Sequence, residues 1–166
     1  RGLAASLDLP IEVQQIDVGS MARVQRVSVE VAARRARYRF LERSAGRLDA
    51  DTIATGHTRD DQAETFLLRL LRGAGATGLA AIPPRRGSIV RPLLDERRAT
   101  LRHYLCERGI AFREDASNDD TTIPRNWVRH VLVPLLAAHL GGDIVEVLAR
   151  EAAVLREDGV LLDEVA

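Results

Sequence analysis

Thr52-Ile53-Ala54-Thr55 is a short apolar run closed by Gly56, and an amphipathic stretch opens almost at once behind it. From Arg59 to Arg72, Ala63, Phe66, Leu67, Leu70 and Leu71 recur at helical spacing, and Gly73 supplies the stop. A strand that turns so tightly into a helix constrains the fold strongly, because the helix must bury its stripe against a sheet. The pattern recurs along the chain. Arg1 to Leu7 reads as the end of a helix, Ile11 to Ile16 as a strand, and Ser28 as the N-cap of a long helix to Arg47. Ile89 to Leu93 reads as a strand, Arg97 to Arg108 as a helix ended by Gly109, and Ile110 to Phe112 as a further strand. Helices are expected from Pro124 to Leu140 and from about Asp143 onward. The fold class is therefore α/β, a parallel sheet with crossover helices followed by a helical segment. Gly141-Gly142 marks the expected domain break, dividing 1–140 from 141–166.

Composition narrows the chemistry. All 24 basic residues are arginine, so a Walker A lysine and a Schiff-base lysine are both excluded. Any lysine chemistry here needs lysine as a substrate. The single cysteine, Cys106, cannot build a disulfide framework or a multi-cysteine metal site, and a reducing cytoplasm is expected. Apolar runs are short and interrupted, so no membrane span is expected. Arg1-Gly2-Leu3-Ala4-Ala5 has neither an initiator Met nor a signal pattern, and it reads as helix interior, so the chain is expected to begin inside a domain. Net charge is zero, but its distribution is uneven. Eight arginines lie between Met21 and Leu48 against Glu30 and Glu42, whereas the tail from Asp143 is acidic. Such a split marks either an anion-binding face or solvated helix surfaces.

Three clusters can carry chemistry. In Gly56-His57-Thr58-Arg59-Asp60-Asp61-Gln62-Ala63-Glu64-Thr65, a strand end points at the ligand crevice of an open sheet. Glu64 shares a helix face with Asp60 or Asp61, and paired carboxylates hold a Mg²⁺, a substrate amine or a proton in transit. Alternatively, Asp60 and Asp61 merely complement the helix dipole. Gly73-Ala74-Gly75-Ala76-Thr77-Gly78 follows a helix instead of linking a strand to one, so it reads as a connection and not as a phosphate loop. In Glu114 to Asp120 followed by Pro124-Arg125-Asn126-Trp127-Val128-Arg129, a polar turn leads to two arginines on one helix face. Guanidinium groups suit phosphates, and Asn reads a base edge. The structural alternative pairs Arg125 with Asp119 or Asp120.

In this order the motifs resemble the tRNA(Ile)-lysidine synthetase family. The carriers are Glu30 with Arg34-Arg35-Ala36-Arg37-Tyr38, the Gly56–Thr65 run, Arg72-Gly73-Ala74-Gly75 with Gly78-Leu79, Arg91-Pro92-Leu93-Leu94 with Arg98, Asp115 to Asp120, and Arg125 to Arg129. The resemblance covers roughly residues 11 to 136. It implies an N-type ATP pyrophosphatase fold, with a partial Rossmann-like sheet. It also implies ATP-dependent ligation of free lysine to C2 of the wobble cytidine of an isoleucine tRNA with a CAU anticodon. The route runs through an adenylated tRNA and releases AMP and pyrophosphate.

By the same resemblance, His57, Asp60, Asp61 and Glu64 are catalytic. Gly56 and His57 hold ATP, and Asp61 and Glu64 bind Mg²⁺ or the lysine amine. Arg91, Arg98, Asn118, Asp120, Arg125, Asn126 and Arg129 contact tRNA. The resemblance assigns no role to Thr58 and leaves room for a homodimer. The family's S-G-G-x-D-S phosphate loop does not occur in these residues, so the chain by itself is expected not to cleave ATP. Two other readings stand beside this one: a related tRNA thiolase, which a single cysteine disfavours, and a non-catalytic tRNA-binding fragment. His103, His130 and His139 read as ordinary helix residues.

Overall fold

The computed structural model describes residues 2–165, in two compact units that divide between Ile53 and Ala54. The first holds α1 (Gly2–Ser6), α2 (Val18–Gln25) and α3 (Val29–Arg47). Asp17 caps α2 by accepting from the Ser20 amide, and Ser28 caps α3 by accepting from the Val31 amide at 3.2 Å, as its sequence position predicts. α2 and α3 pack together and bury only alanines, Ala22, Ala32 and Ala36.

Residues 11–17 are not a strand. A strand needs a ladder partner, and among the described residues this segment has none. Side chains tether it to α3 instead. Glu12 accepts from Ser44 and from Arg47 (Nε at 2.8 Å), and Arg43 donates to Gln14 at 2.7 Å. The Arg47 and Ser44 hydrogen bonds hold the Glu12 carboxyl down at about 2.

The second unit carries the sheet and most of the core. β1 (Ile53–Ala54), β2 (Arg85–Arg86) and β3 (Ile89–Val90) form a small sheet in the order β1-β3-β2. β2 and β3 are an antiparallel hairpin, with Arg85 opposite Val90. Gly87, at the first turn position, has φ +59°, a conformation that L-residues rarely adopt. This hairpin replaces part of the parallel sheet expected from the alternation. Ile110–Phe112 stays unpaired, again for want of a neighbouring strand.

Helix α4 (Arg59–Leu70) presents Ala63, Phe66 and Leu67 to the core, where α9 (Ile144–Val165) supplies Val145, Leu148 and Ala152. Burying side chains the size of Phe66 or Leu67 stabilises by ~1.5–3 kcal/mol each. Leu70 and Leu71, also on the expected stripe, are exposed, because the helix ends there and Gly73 reverses the chain at φ +75°. The short helix α5 (Ala76–Leu79) folds back close by. A Cβ on Gly78 would lie 2.7 Å from the Ala74 Cβ, so this glycine permits a close approach. The glycine-rich stretch is thus a packed corner.

α6 (Arg98–Glu107) follows the hairpin. The run from Pro124 to Leu140 then divides into α7 (Pro124–Trp127), a π-helical turn (Val128–Leu132) and α8 (Val133–Leu140). Pro134 has no N–H for the α-helical ladder, and the Val133 amide, just before it, reaches back five residues to the Val128 carbonyl. Gly141 and Gly142, both at φ +70°, turn the chain into α9. α9 packs against α4, α5 and α8, and its Val145, Leu148 and Ala152 belong to this unit's core. No single helix among the described residues is long and apolar enough to cross a membrane.

Candidate functional site

The chain leaves β1 through Thr55 and Gly56. A Cβ on Gly56 would meet no atom within 4 Å, so the backbone there is open to close approach by a ligand. His57 is half-buried, its Nδ1 3.0 Å from the Thr55 hydroxyl. Thr58, left without a role by the motif, is the N-cap of α4. Its amide and hydroxyl each donate to Asp61 Oδ2 at 2.8 Å, and its hydroxyl accepts from the Asp61 amide, closing a capping box.

One helical turn further on, Glu64 is 2% exposed and fully engaged. Its Oε1 accepts from Arg129 Nε at 2.7 Å and Arg98 Nη2 at 3.1 Å. Its Oε2 accepts from Arg125 Nε at 2.9 Å and Arg129 Nη2 at 3.1 Å. Asp61 Oδ1 accepts from Arg98 and Arg125 at 3.1 and 3.2 Å. Three guanidinium groups thus converge on two carboxylates. Helical spacing aims Asp61 and Glu64 the same way, and Arg125 and Arg129 reach them from successive turns of the Pro124–Leu140 run.

Burial opposes ionisation of Asp61. The Thr58 amide and the charges of Arg125 and Arg98 outweigh it and hold the carboxyl below its ordinary value. Glu64 in turn raises the Arg129 guanidinium above its ordinary value. Asp60 faces α6: its Oδ2 accepts the Arg98 amide at 2.7 Å and lies 3.5 Å from Arg97 Nε.

The other candidate residues sort by burial. Asn126 is buried, and its amide donates to the carbonyls of Ser117 (2.7 Å) and Asp120 (3.0 Å), fastening the polar loop to α7. Arg91 is 6% exposed and donates to the Pro83 carbonyl at 2.6 Å. Both side chains are engaged within the fold, whereas tRNA contact was expected of them. Asn118 and Asp120 are exposed. The Asn118 carbonyl accepts from His130, and Asp120 caps Thr122. Arg125 pairs with Asp61 and Glu64 and not with Asp119 or Asp120. The sequence gives no sign of the Arg97–Asp143 and Arg59–Glu146 ion pairs, because each joins side chains distant in the chain.

The carboxylate pair does not fit the expected Mg²⁺. Every oxygen of Asp61 and Glu64 already accepts a hydrogen bond, and the surrounding guanidinium charge exceeds that of the two carboxylates. A hard dication needs free oxygen donors and anionic surroundings. No group of three or more His, Cys, Asp or Glu residues suited to a metal occurs among the described residues.

A family model described as a PP-loop domain matches residues 1–136. This chain belongs to the PP-loop domain family. Among curated relatives, the domain is 45% identical over 161 residues to the tRNA(Ile)-lysidine synthase of Geobacter sulfurreducens, an overlap of 96% of this chain and 34% of that protein. A Pseudomonas fluorescens protein of the same name is 45% identical, covering 100% of this chain and 37% of its own length. One from Thermobifida fusca is 46% identical, covering 93% and 46%. The PP-loop domain described here therefore spans between a third and a half of these relatives' length.

Proposed function

We propose that this PP-loop domain belongs to an enzyme that joins free lysine to C2 of the wobble cytidine of an isoleucine tRNA with a CAU anticodon. ATP is consumed, the tRNA is adenylated on the way, and AMP and pyrophosphate are released. The observation that carries the reading is the similarity, at 45% identity over nearly the whole chain, to proteins named tRNA(Ile)-lysidine synthase. On this reading residues 1–140 are an N-type ATP pyrophosphatase domain with a Rossmann-like sheet, and residues 141–166 open a helical region. Exposed Cys106 suits a reducing cytoplasm.

The geometry supports a division of labour. Gly56 and His57 hold the ATP phosphates, where open backbone and an imidazole meet at a strand end. Asp61 and Glu64 hold the lysine amine by charge. A carboxyl kept ionised as firmly as that of Asp61 attracts a cation better than it removes a proton. Asp60 positions α6 through the Arg98 amide. Arg98, Arg125 and Arg129, each side chain 20–29% exposed, offer their outward edges to tRNA, with Asn118 and Asp120 on the adjoining loop. The test is AMP release by the full-length protein with tRNA, ATP, Mg²⁺ and lysine, omitting each in turn. Loss of AMP on every omission is expected, and modification of the same cytidine by sulfur without lysine rejects the reading in favour of a thiolase.

A further inference from the structure

Asp61 and Glu64 have no vacant acceptor, yet the proposed reaction asks them to receive an amine. Glu64 is 2% exposed and anchored on α4, so it cannot move out to meet a ligand. The guanidinium groups around it are less buried and sit on longer side chains. Arg129 is 20% exposed and Arg125 29% exposed at the side chain. Their commitments differ. Arg98 bridges the two carboxylates, its Nη2 donating to Asp61 and to Glu64 at 3.1 Å each. Arg125 also donates to the Asp61 carbonyl at 3.4 Å and the Thr65 hydroxyl at 3.5 Å. Arg129 bonds Glu64 alone, lies 3.9 Å from Asp61, and sits on the π-helical turn. Adding an ammonium to this cluster without losing a guanidinium would enlarge an existing excess of positive charge at a buried position.

We infer that Arg129 occupies the Glu64 carboxylate as a stand-in for a cationic ligand. An amine binds by exchange with its guanidinium, and the freed guanidinium passes to a phosphodiester. The inference rests on the lysine and tRNA reading for the identity of the two ligands, but the exchange itself follows from the filled carboxylates. Its consequence is reciprocal. Whatever captures the Arg129 guanidinium strengthens amine binding at Glu64, and amine binding strengthens phosphate binding by the same factor. Lysine and RNA then bind cooperatively without touching the same atoms.

The full-length protein, labelled with ¹⁵N at arginine, reports this through the Arg129 Nε–H resonance, assigned by its loss in Arg129→Lys. L-lysine is titrated with and without an anticodon stem-loop RNA. The expected result is a hydrogen-bonded Nε–H signal in the free protein that moves to a solvent-like position on saturation with lysine. Lysine should also bind at least about fivefold more tightly in the presence of RNA. Arg129→Gln should bind lysine at least as tightly as the parent and show no gain from RNA. Lysine binding that leaves the Arg129 signal in place, or that is equally tight with and without RNA, overturns the exchange but leaves the lysine reading standing. No lysine binding under either condition overturns both. The two wild-type titrations decide the matter even if Arg129→Gln fails to fold.

Discussion

Removing the Glu64 carboxylate would leave Arg98, Arg125 and Arg129 facing one another at an almost fully buried position. Glu64→Ala is therefore expected to lower stability by ~3–5 kcal/mol, the range seen when one partner of a buried ion pair is removed. Urea unfolding measures it, and a loss below about 1 kcal/mol would mean that the arginines find other partners. Loss of activity in this variant is then no proof of a chemical role.

Asp61 offers a gentler probe through pH. Its folded-state value is depressed, so its contribution is complete above the ordinary aspartate value of 3.8 and is lost as pH falls through the folded value. Arg129 is shifted upward from the ordinary arginine value, so its contribution is complete at every lower pH and fades only above that value. The stability difference between the parent and Asp61→Asn should thus be flat from about pH 5 to 9 and shrink below about pH 4. A difference that changes across neutral pH would contradict the assignment. The sequence made the carboxylates legible because helical spacing sets Asp61 and Glu64 on one face. It could not reveal that arginines fill them, since Arg98, Arg125 and Arg129 come from separate parts of the chain.

At the scale of elements, the helices were the readable part. Ser28, Gly73 and Gly109 act through local backbone geometry, and their signals hold in the structure. Residues 11–16 and 110–112 failed as strands because strand identity depends on a neighbour that local pattern cannot supply. Half of the β2–β3 hairpin was read, since β3 lies within the strand expected at Ile89–Leu93, but β2 is only two arginines long and carries no strand pattern. Asn126 joins two elements by donating to the Ser117 and Asp120 carbonyls, so Asn126→Ala strands both acceptors. A loss of ~1–3 kcal/mol is expected, with faster proteolysis in residues 111–122. Thr58→Ala, which removes the cap of α4, should cost about 1 kcal/mol by the same unfolding measurement. Unchanged proteolysis in Asn126→Ala would show that the loop is held by other means.

For the molecule as a whole, an ordered set of motifs pointed to the PP-loop ATP pyrophosphatases, and membership of the PP-loop domain family agrees with it. The motifs did not distinguish buried side chains from exposed ones: Arg91 and Asn126 are buried, whereas Asn118 and Asp120 are exposed. Binding of tRNA across a salt series separates the two groups. Arg129→Ala should lower the salt slope by about one unit, while Arg91→Ala should leave the slope unchanged and lower the melting temperature. The central claim is lysine transfer, and the nucleoside at the wobble position tests it most directly. Isoleucine tRNA is incubated with the full-length protein, ATP, Mg²⁺ and isotopically labelled lysine, digested, and analysed by mass spectrometry. The account predicts labelled lysine covalently joined to the wobble cytidine. An unmodified cytidine, or one carrying sulfur and no lysine label, would contradict it.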